Sequence, residues 1–499
     1  LIRGLRIALP AELAIFTPPM QRTFLTNLLL LLVLNLLVKP FYLLGIDAGV
    51  QEAVGPEVYG TYAALVSLSF LLNIVLDLGI TNFNTRHIAR HGHLMAKYLS
   101  GVAGLRLLLA AIYAAITAMV ALVLGYRGAT LGILGWLVLN QILVSGILYL
   151  RSNIAGAQRF RWDGLLSVLD RLLLIGGVGW LLWGRLGGTA FRIEWFVWAQ
   201  TIAYAVTFFV ALAMTLRLSG GARFGLNVAF SRVVIRQSFP YALLIMLMTF
   251  YYRTDTVMLE RLLPDGAYRA GVYAQGFRFF EALNMLGYLF AGLLLPLFSR
   301  QLKDAAPVGP LAVLALRLLL AGGLVCAAFT HWFAHDLLAL MYTDLDPAAA
   351  PTFRLLVYCF VGVSITYVFG TLLTAAGDLR QLNYVAGAGA LLNLLLNLWL
   401  IPRWQVEGAA WASLVTQWMT AGIQVWLARG AHGIIGLGGV MVRGIAYFSA
   451  LLIGAGYLRG LSLPVAAGVL VVQALVLLPV SGLLRWNMVR DAMKWPLDR

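Results

Sequence analysis

The chain holds 499 residues, of which 61% are hydrophobic and 11% charged, and its mean hydropathy is +0.88. Soluble domains carry roughly 45–50% apolar and about 25% charged residues, so a water-exposed globule is excluded and most of this chain belongs in lipid. The formal charge of +16 does not indicate nucleic acid, because the bases are scattered through short segments between apolar runs, as membrane topology requires. Cys326 and Cys359 both fall in apolar stretches, which gives neither a disulfide framework nor a CxxC metal spacing.

In chain order, residues 1–23 carry Arg3, Arg6 and Arg22 around Pro18-Pro19 and read as a cytoplasmic lead-in rather than a cleaved signal. A membrane span needs about 20 mainly apolar residues. Fourteen such windows follow, at 24–46, 59–83, 98–124, 129–150, 165–184, 194–216, 238–259, 270–297, 311–334, 353–376, 382–401, 407–428, 440–458 and 463–484. The expected fold is therefore an all-α membrane protein of about 14 transmembrane helices. They divide into a six-helix lobe at 24–218, a cytoplasmic linker at 219–237 and a second six-helix lobe at 238–428. Two extra helices and a cytoplasmic tail occupy 429–499.

Loop charge orients the spans. With the N-terminus inside, 22 Lys and Arg fall in cytoplasmic segments and 9 in outer ones, Lys39 included, while five lie within spans. Of the acids, ten lie outside and six inside. Both termini are thus expected in the cytoplasm. The longest connections, 217–237 and 335–352, hold only about 20 residues, too few for a catalytic domain outside the membrane, and no enzyme activity is expected. Neither a phosphate loop ending in Lys-Ser/Thr nor an HExxH or GxSxG motif occurs. His87, His91 and His93 stand beside Arg86, Arg90 and Lys97, a basic anchor for lipid headgroups rather than a metal site.

The two halves share a pattern. Lys39 comes late in the first span, and Gly60-Thr-Tyr62 opens the second. Arg253 comes late in the seventh, and Gly271-Val-Tyr273 opens the eighth. Six helices separate the copies, so both have one orientation, as in lobes related by an axis along the membrane normal.

Charges inside spans cost about 2.5–3.5 kcal/mol at the bilayer centre on insertion scales. Asp77, Arg106, Asp170, Arg171 and Arg317 lie within about two turns of cytoplasmic span ends, and snorkelling to the interface accounts for them. Lys39, Arg253, Asp255, Arg278 and Glu281 lie deeper, in the outer halves of spans one, seven and eight. Arg278 and Glu281 are three apart and share a helix face. Either these residues form structural ion pairs, or Lys39, Arg253 and Arg278 line a wet cavity for an anion, the guanidinium fork suiting phosphate. Asn393 and Asn397 share a face of span eleven and, with Gln200, Gln417 and Asn73, are expected to knit helices together. Trp332, Trp399, Trp404 and Trp486 mark span ends.

Several stretches resemble the polysaccharide flippases of the multidrug/oligosaccharidyl-lipid/polysaccharide exporter superfamily. They are Gly60-Thr-Tyr62 with Leu76-Asp77-Leu78-Gly79-Ile80, Ser238-Phe-Pro240 leading to Arg253-Thr-Asp255 and Gly271-Val-Tyr273, and Ala375-Ala-Gly377-Asp378 through Asn393, Asn397, Ile401-Pro402 and Gly408-Ala409-Ala410. The similarity spreads over about residues 20–430. It implies two six-helix bundles around a cavity, and alternating access that carries an undecaprenyl-diphosphate-linked oligosaccharide from the cytoplasmic to the outer leaflet of a bacterial inner membrane. By position and chemistry Lys39, Arg253 and Arg278 match the bases that engage the diphosphate in such proteins. Asp255 and Glu281 are candidates for coupling to H+ or Na+, or for balancing the arginines. No other cofactor is implied; membrane lipids and other polysaccharide-assembly proteins are the implied partners. A cation-coupled multidrug exporter of the same superfamily is the first alternative and a membrane glycan polymerase or ligase the second.

Overall fold

The computed structural model describes residues 35–484 apart from 82–83, 85–87, 89–94, 158, 185–189 and 222–227. The lead-in at 1–23, the histidines at 87, 91 and 93, Trp486 and the tail beyond 484 lie outside the described residues.

Long apolar runs fold as helices because a helix satisfies every internal backbone polar group without water. Among the described residues eleven helical stretches are long and apolar enough to cross a membrane. Two of them contain a sharp break, and a third, Gly309–Ala339, is kinked at Phe333. The stretch Asn35–Asp77 breaks at Gly55, whose φ of 79° suits a residue without a side chain, and Pro56 follows. The stretch Leu379–His432 breaks at Gln405 (φ 48°, ψ −122°), three residues after Pro402. Both breaks reverse the chain. A single guanidinium, that of Arg278, contacts both Asp47 and Tyr59, which would lie about 18 Å apart along a straight helix. Likewise a Cβ on Gly408 would overlap the carbonyl oxygen of Leu400.

Splitting these stretches and adding Val228–Leu262, whose polar residues lower its mean hydropathy, yields fourteen long helical segments among the described residues. In order they are α1 (35–54), α2 (56–77), α3 (Met95–Val123), α4 (Ala129–Gly156), α5 (Phe160–Trp183), α6 (Ile193–Ser219) and α7 (Val228–Leu262). Then come α8 (Gly266–Lys303), α9 (Gly309–Ala339), α10 (Ala349–Ala376), α11 (379–404), α12 (406–432), α13 (Leu437–Tyr457) and α14 (Leu463–Val480). The multi-pass all-helical fold is as expected. Connections are shorter than the sequence implies: the segment expected as a linker at 219–237 is helical from Val228, and helix covers 335–339 and 349–352 of the outer loop.

Buried apolar side chains gather in one core built mainly from α1, α2, α4, α5 and α6, with Ala121 of α3, Val257 of α7 and Ala274 of α8 at its margin, a smaller one joining α3, α4, α5 and α6, and a large one spanning α7 to α14. Large apolar side chains such as Val123, Trp180, Ile202, Trp426 and Tyr457 remain exposed on the outside, a surface suited to lipid and not to water. The cores meet where α2 crosses α8. There a Cβ on Gly60 would overlap the Ala267 carbonyl, and one on Gly271 would overlap that of Pro56. The two glycines of the sequence repeat thus face each other across the crossing, each allowing a backbone approach that a larger residue forbids.

Candidate functional site

At the end of the molecule that carries Gly55, side chains from both cores form a closed network. Arg278 on α8 pairs through Nε with Asp47 Oδ2 of α1 at 2.7 Å and through Nη1 with Glu281 Oε2, one turn along, at 2.5 Å. Its Nε and Nη2 also donate to the Tyr59 hydroxyl of α2. Arg253 on α7 reaches the other Glu281 oxygen at 2.6 Å, and its guanidinium lies over the rings of Phe70 and Phe277. Two acids and two bases alternate, so the network is neutral. Beyond it, Gln51 donates through Nε2 to the Gly271 carbonyl at 2.8 Å and accepts at Oε1 from the Tyr342 hydroxyl at 3.2 Å, while Glu52 accepts from the Thr343 amide at 3.1 Å.

Beneath this roof lies a cavity of about 1090 Å³. Its lining runs from Asp47, Tyr62 and Arg278 down to Thr81, Ala155, Asp163, Thr374 and Leu382. Those last residues sit at the ends of helices on the face opposite Gly55, so the cavity opens toward that face. Its two sides differ in chemistry. On the side of α1, α4 and α5 it presents Lys39, Arg151 and Arg171. Arg151 pairs with Asp163 at 2.8 Å. Arg171 approaches Asp170 at 3.7 Å, donates to the Tyr204 hydroxyl at 3.0 Å and lies over the Tyr42 ring. Lys39, half-buried, has no ion-pair or hydrogen-bond partner among the described residues. The charged groups that act on it most strongly are Arg171, Arg151, Asp170 and Asp163. The surplus positive charge of the cavity therefore gathers around Lys39.

A third constellation lies inside the large core of α7 to α14. Asp255, 1% exposed, accepts at Oδ1 from Asn397 Nδ2 (2.7 Å) and Asn393 Nδ2 (3.2 Å). At Oδ2 it accepts from the hydroxyls of Ser413 (2.5 Å) and Tyr273 (2.8 Å). Neutral groups from α8, α11 and α12 supply all four bonds, so no base compensates this carboxylate locally. Among the described residues Asn397 Oδ1 has no partner. Two amide N–H groups and two hydroxyls thus hold the carboxylate, and that amide oxygen is left unpaired beside them. Among the described residues no group of three or more His, Cys, Asp or Glu could hold a metal.

The structure thus separates residues that the sequence grouped. Arg253, Arg278 and Glu281 meet; Lys39 stands apart; Asp255 balances no arginine and belongs to the asparagines. Snorkelling is replaced for Arg106, which pairs with Asp77 and donates to the Ser145 carbonyl at 2.7 Å, and for Arg171, which turns into the cavity. Arg317 is buried. Gln200 donates to the Tyr62 hydroxyl at 2.8 Å, and Asn73 lines the cavity. Sequence reasoning missed Asp47, which reads as a loop acid because the turn comes only at Gly55. It also missed Tyr59 and Ser413, whose types carry no signal in an apolar run, and marked Tyr273 only as a member of the Gly-X-Tyr repeat.

The family model described as "Polysaccharide biosynthesis protein" matches residues 24–302, more than half of the chain. The protein belongs to the polysaccharide biosynthesis protein family. The model of a second family, MatE, matches residues 240–399. Among solved structures, the lipid II flippase MurJ in an inward closed conformation is 12% identical, with a TM-score of 0.67, over 95% of this chain and 99% of its own. The Vibrio cholerae MATE transporter VcmN is 17% identical, with a TM-score of 0.57, over 82% and 96%. An inward-facing multidrug resistance MATE transporter of the MOP superfamily is 13% identical, with a TM-score of 0.59, over 78% and 94%. No curated protein matches the chain. This polysaccharide biosynthesis protein is therefore a multi-pass membrane protein of the transporter superfamily that its sequence resembles, with the fold those structures share.

Proposed function

We propose that this protein is a flippase that moves an undecaprenyl-diphosphate-linked oligosaccharide from the cytoplasmic to the outer leaflet of a bacterial inner membrane. The observation that carries the reading is a cavity closed at one end, with a lysine that has no partner among the described residues at the centre of its surplus positive charge. A sugar headgroup entering hydrocarbon loses its hydrogen bonds to water. A polar cavity replaces them while the isoprenoid tail stays in lipid. Lys39, with Arg171 and Arg151 beside it, offsets the desolvation of the diphosphate, and a guanidinium fork adds two-point contact.

Loop charge makes the open face cytoplasmic and puts both termini there, so the conformation described is inward-facing. In alternating access the two lobes rock about the α2–α8 crossing. Arg253 and Arg278 exchange their carboxylate partners for the diphosphate when the roof opens. Asp255, held by donors without a base, takes H+ or Na+ and couples the cycle to an ion gradient.

The MatE match and the buried Asp255 favour one second reading, export of lipophilic cations coupled to that ion. The positive surplus at Lys39 disfavours it, since like charges repel in a cavity of low dielectric. Complementation of a flippase-deficient strain separates the two. The flippase reading expects the wild-type chain to restore surface glycan and Lys39→Ala to fail at equal protein level. Resistance to lipophilic cations without restored glycan would establish the exporter instead.

A further inference from the structure

We infer that the cavity side built by α8, α10 and α12 is a subsite for uncharged sugar residues, distinct from the cationic side at Lys39. The inference rests on the flippase reading and adds to it the chemistry of the glycan. Below Glu281 this side carries no acid or base among the lining residues; it presents Asn284, Tyr288, Thr366, Tyr367, Thr371 and Gln424. Among the described residues three of these hold buried oxygens without a hydrogen-bond partner: Asn284 Oδ1, Thr366 Oγ1 and Gln424 Oε1. Thr366 is 6% and Gln424 5% exposed.

Buried polar atoms are paired in nearly all cases, and each unpaired one costs about 1–3 kcal/mol. Three such oxygens lie just behind one wall of one cavity, where a side-chain rotation brings them to a sugar hydroxyl. The backbone is arranged to keep them there. Thr366, Gly370 and Thr374 stand four apart on one face of α10, and a Cβ at Gly370 would come within 2.8 Å of Gln424 Oε1. Glycine therefore leaves room for the carboxamide at the cavity edge. Gly287 plays the same part for Tyr367, whose ring occupies the space of its missing Cβ.

Amide and hydroxyl oxygens interleaved with tyrosine rings match a neutral pyranose, which offers hydroxyls around its rim and C–H groups on its faces. They do not match an acidic sugar. A carboxylate buried there finds no cation, and an unpaired buried charge is far costlier than an unpaired hydroxyl. The cavity thus divides the substrate: diphosphate against α1, α4 and α5, neutral sugars against α8, α10 and α12.

The test uses the full chain in vesicles with two probes. One is undecaprenyl diphosphate bearing a trisaccharide of uncharged sugars; the other is the same lipid with a uronic acid as the second sugar. The wild type is expected to move the neutral probe at least about tenfold faster, because the uronate carboxylate finds no cation on that side. Thr366→Val and Gln424→Leu, alone and combined, collapse that ratio by slowing the neutral probe. Thr371→Lys shifts it toward the uronate. Lys39→Ala slows both probes and keeps the ratio. Equal wild-type rates for the two probes, or a ratio unmoved by both the apolar variants and Thr371→Lys, overturn the subsite. A wild type that moves neither probe overturns the flippase reading and the subsite with it.

Discussion

Arg278 and Lys39 are both bases in the same cavity, yet their surroundings predict opposite phenotypes. Arg278 holds Asp47, Glu281 and Tyr59 together. Its loss leaves Asp47 buried without a base, and breaking a buried pair from one side costs about 3–5 kcal/mol. Arg278→Ala should therefore lower the thermal unfolding midpoint in detergent, and adding Asp47→Asn to it should recover part of the loss. Lys39 has no partner to abandon among the described residues, so Lys39→Ala should leave stability within about 0.5 kcal/mol of wild type while abolishing transport. A fall in unfolding midpoint as large as that of Arg278→Ala would place Lys39 among structural residues. Asp255→Asn keeps the side chain's shape but removes its charge. The expected result is transport, if any persists, that no longer responds to an imposed proton or sodium gradient, measured in vesicles. The deep charges were legible in the sequence because an apolar run makes any ionised residue conspicuous. Asp47 was not, since an acid eight residues before a Gly-Pro turn looks like a loop acid until the helix is seen to continue.

At the scale of helices, the α2–α8 crossing decides how the Gly55 end closes. Gly60 and Gly271 allow each backbone to touch the other, and Gln51, Tyr342, Glu52 and Thr343 close around that contact. Gly60→Val or Gly271→Val should wedge the crossing apart and favour the state open at that end. Alkylation of a cysteine introduced at Tyr62, in a background without Cys326 and Cys359, checks this: the reagent should react from the Gly55 face in the variants and not in the parent. Unchanged protection in both would show that the glycines merely pack. The repeat was visible as two Gly-X-Tyr motifs after deep bases, although nothing in its spacing said that the copies would touch. Helix number was equally visible, because each span is a long apolar run ended by charge, Gly or Pro. Helix length was not. Val228–Gln237 and the ends of the 335–352 loop are polar enough to read as connections, yet they continue helices whose cores lie in the membrane.

For the molecule as a whole, the central claim joins three features: one cavity, open at one end, with its positive surplus on one side. Composition alone gave the membrane, and loop charge gave an orientation. The cavity itself could not be read from the sequence. Its lining comes from helices far apart in the chain, and its neutral roof depends on which acid each arginine finds. The most direct measurement is leaflet transfer of undecaprenyl-diphosphate-linked oligosaccharide in vesicles reconstituted with the purified chain, followed by accessibility of the glycan to an enzyme added outside. The account predicts transfer by the wild type, loss with Lys39→Ala at normal stability, and no transport of lipophilic cations. A wild type that leaves the glycan in its original leaflet, or a Lys39→Ala variant that moves it at the full rate, would contradict it.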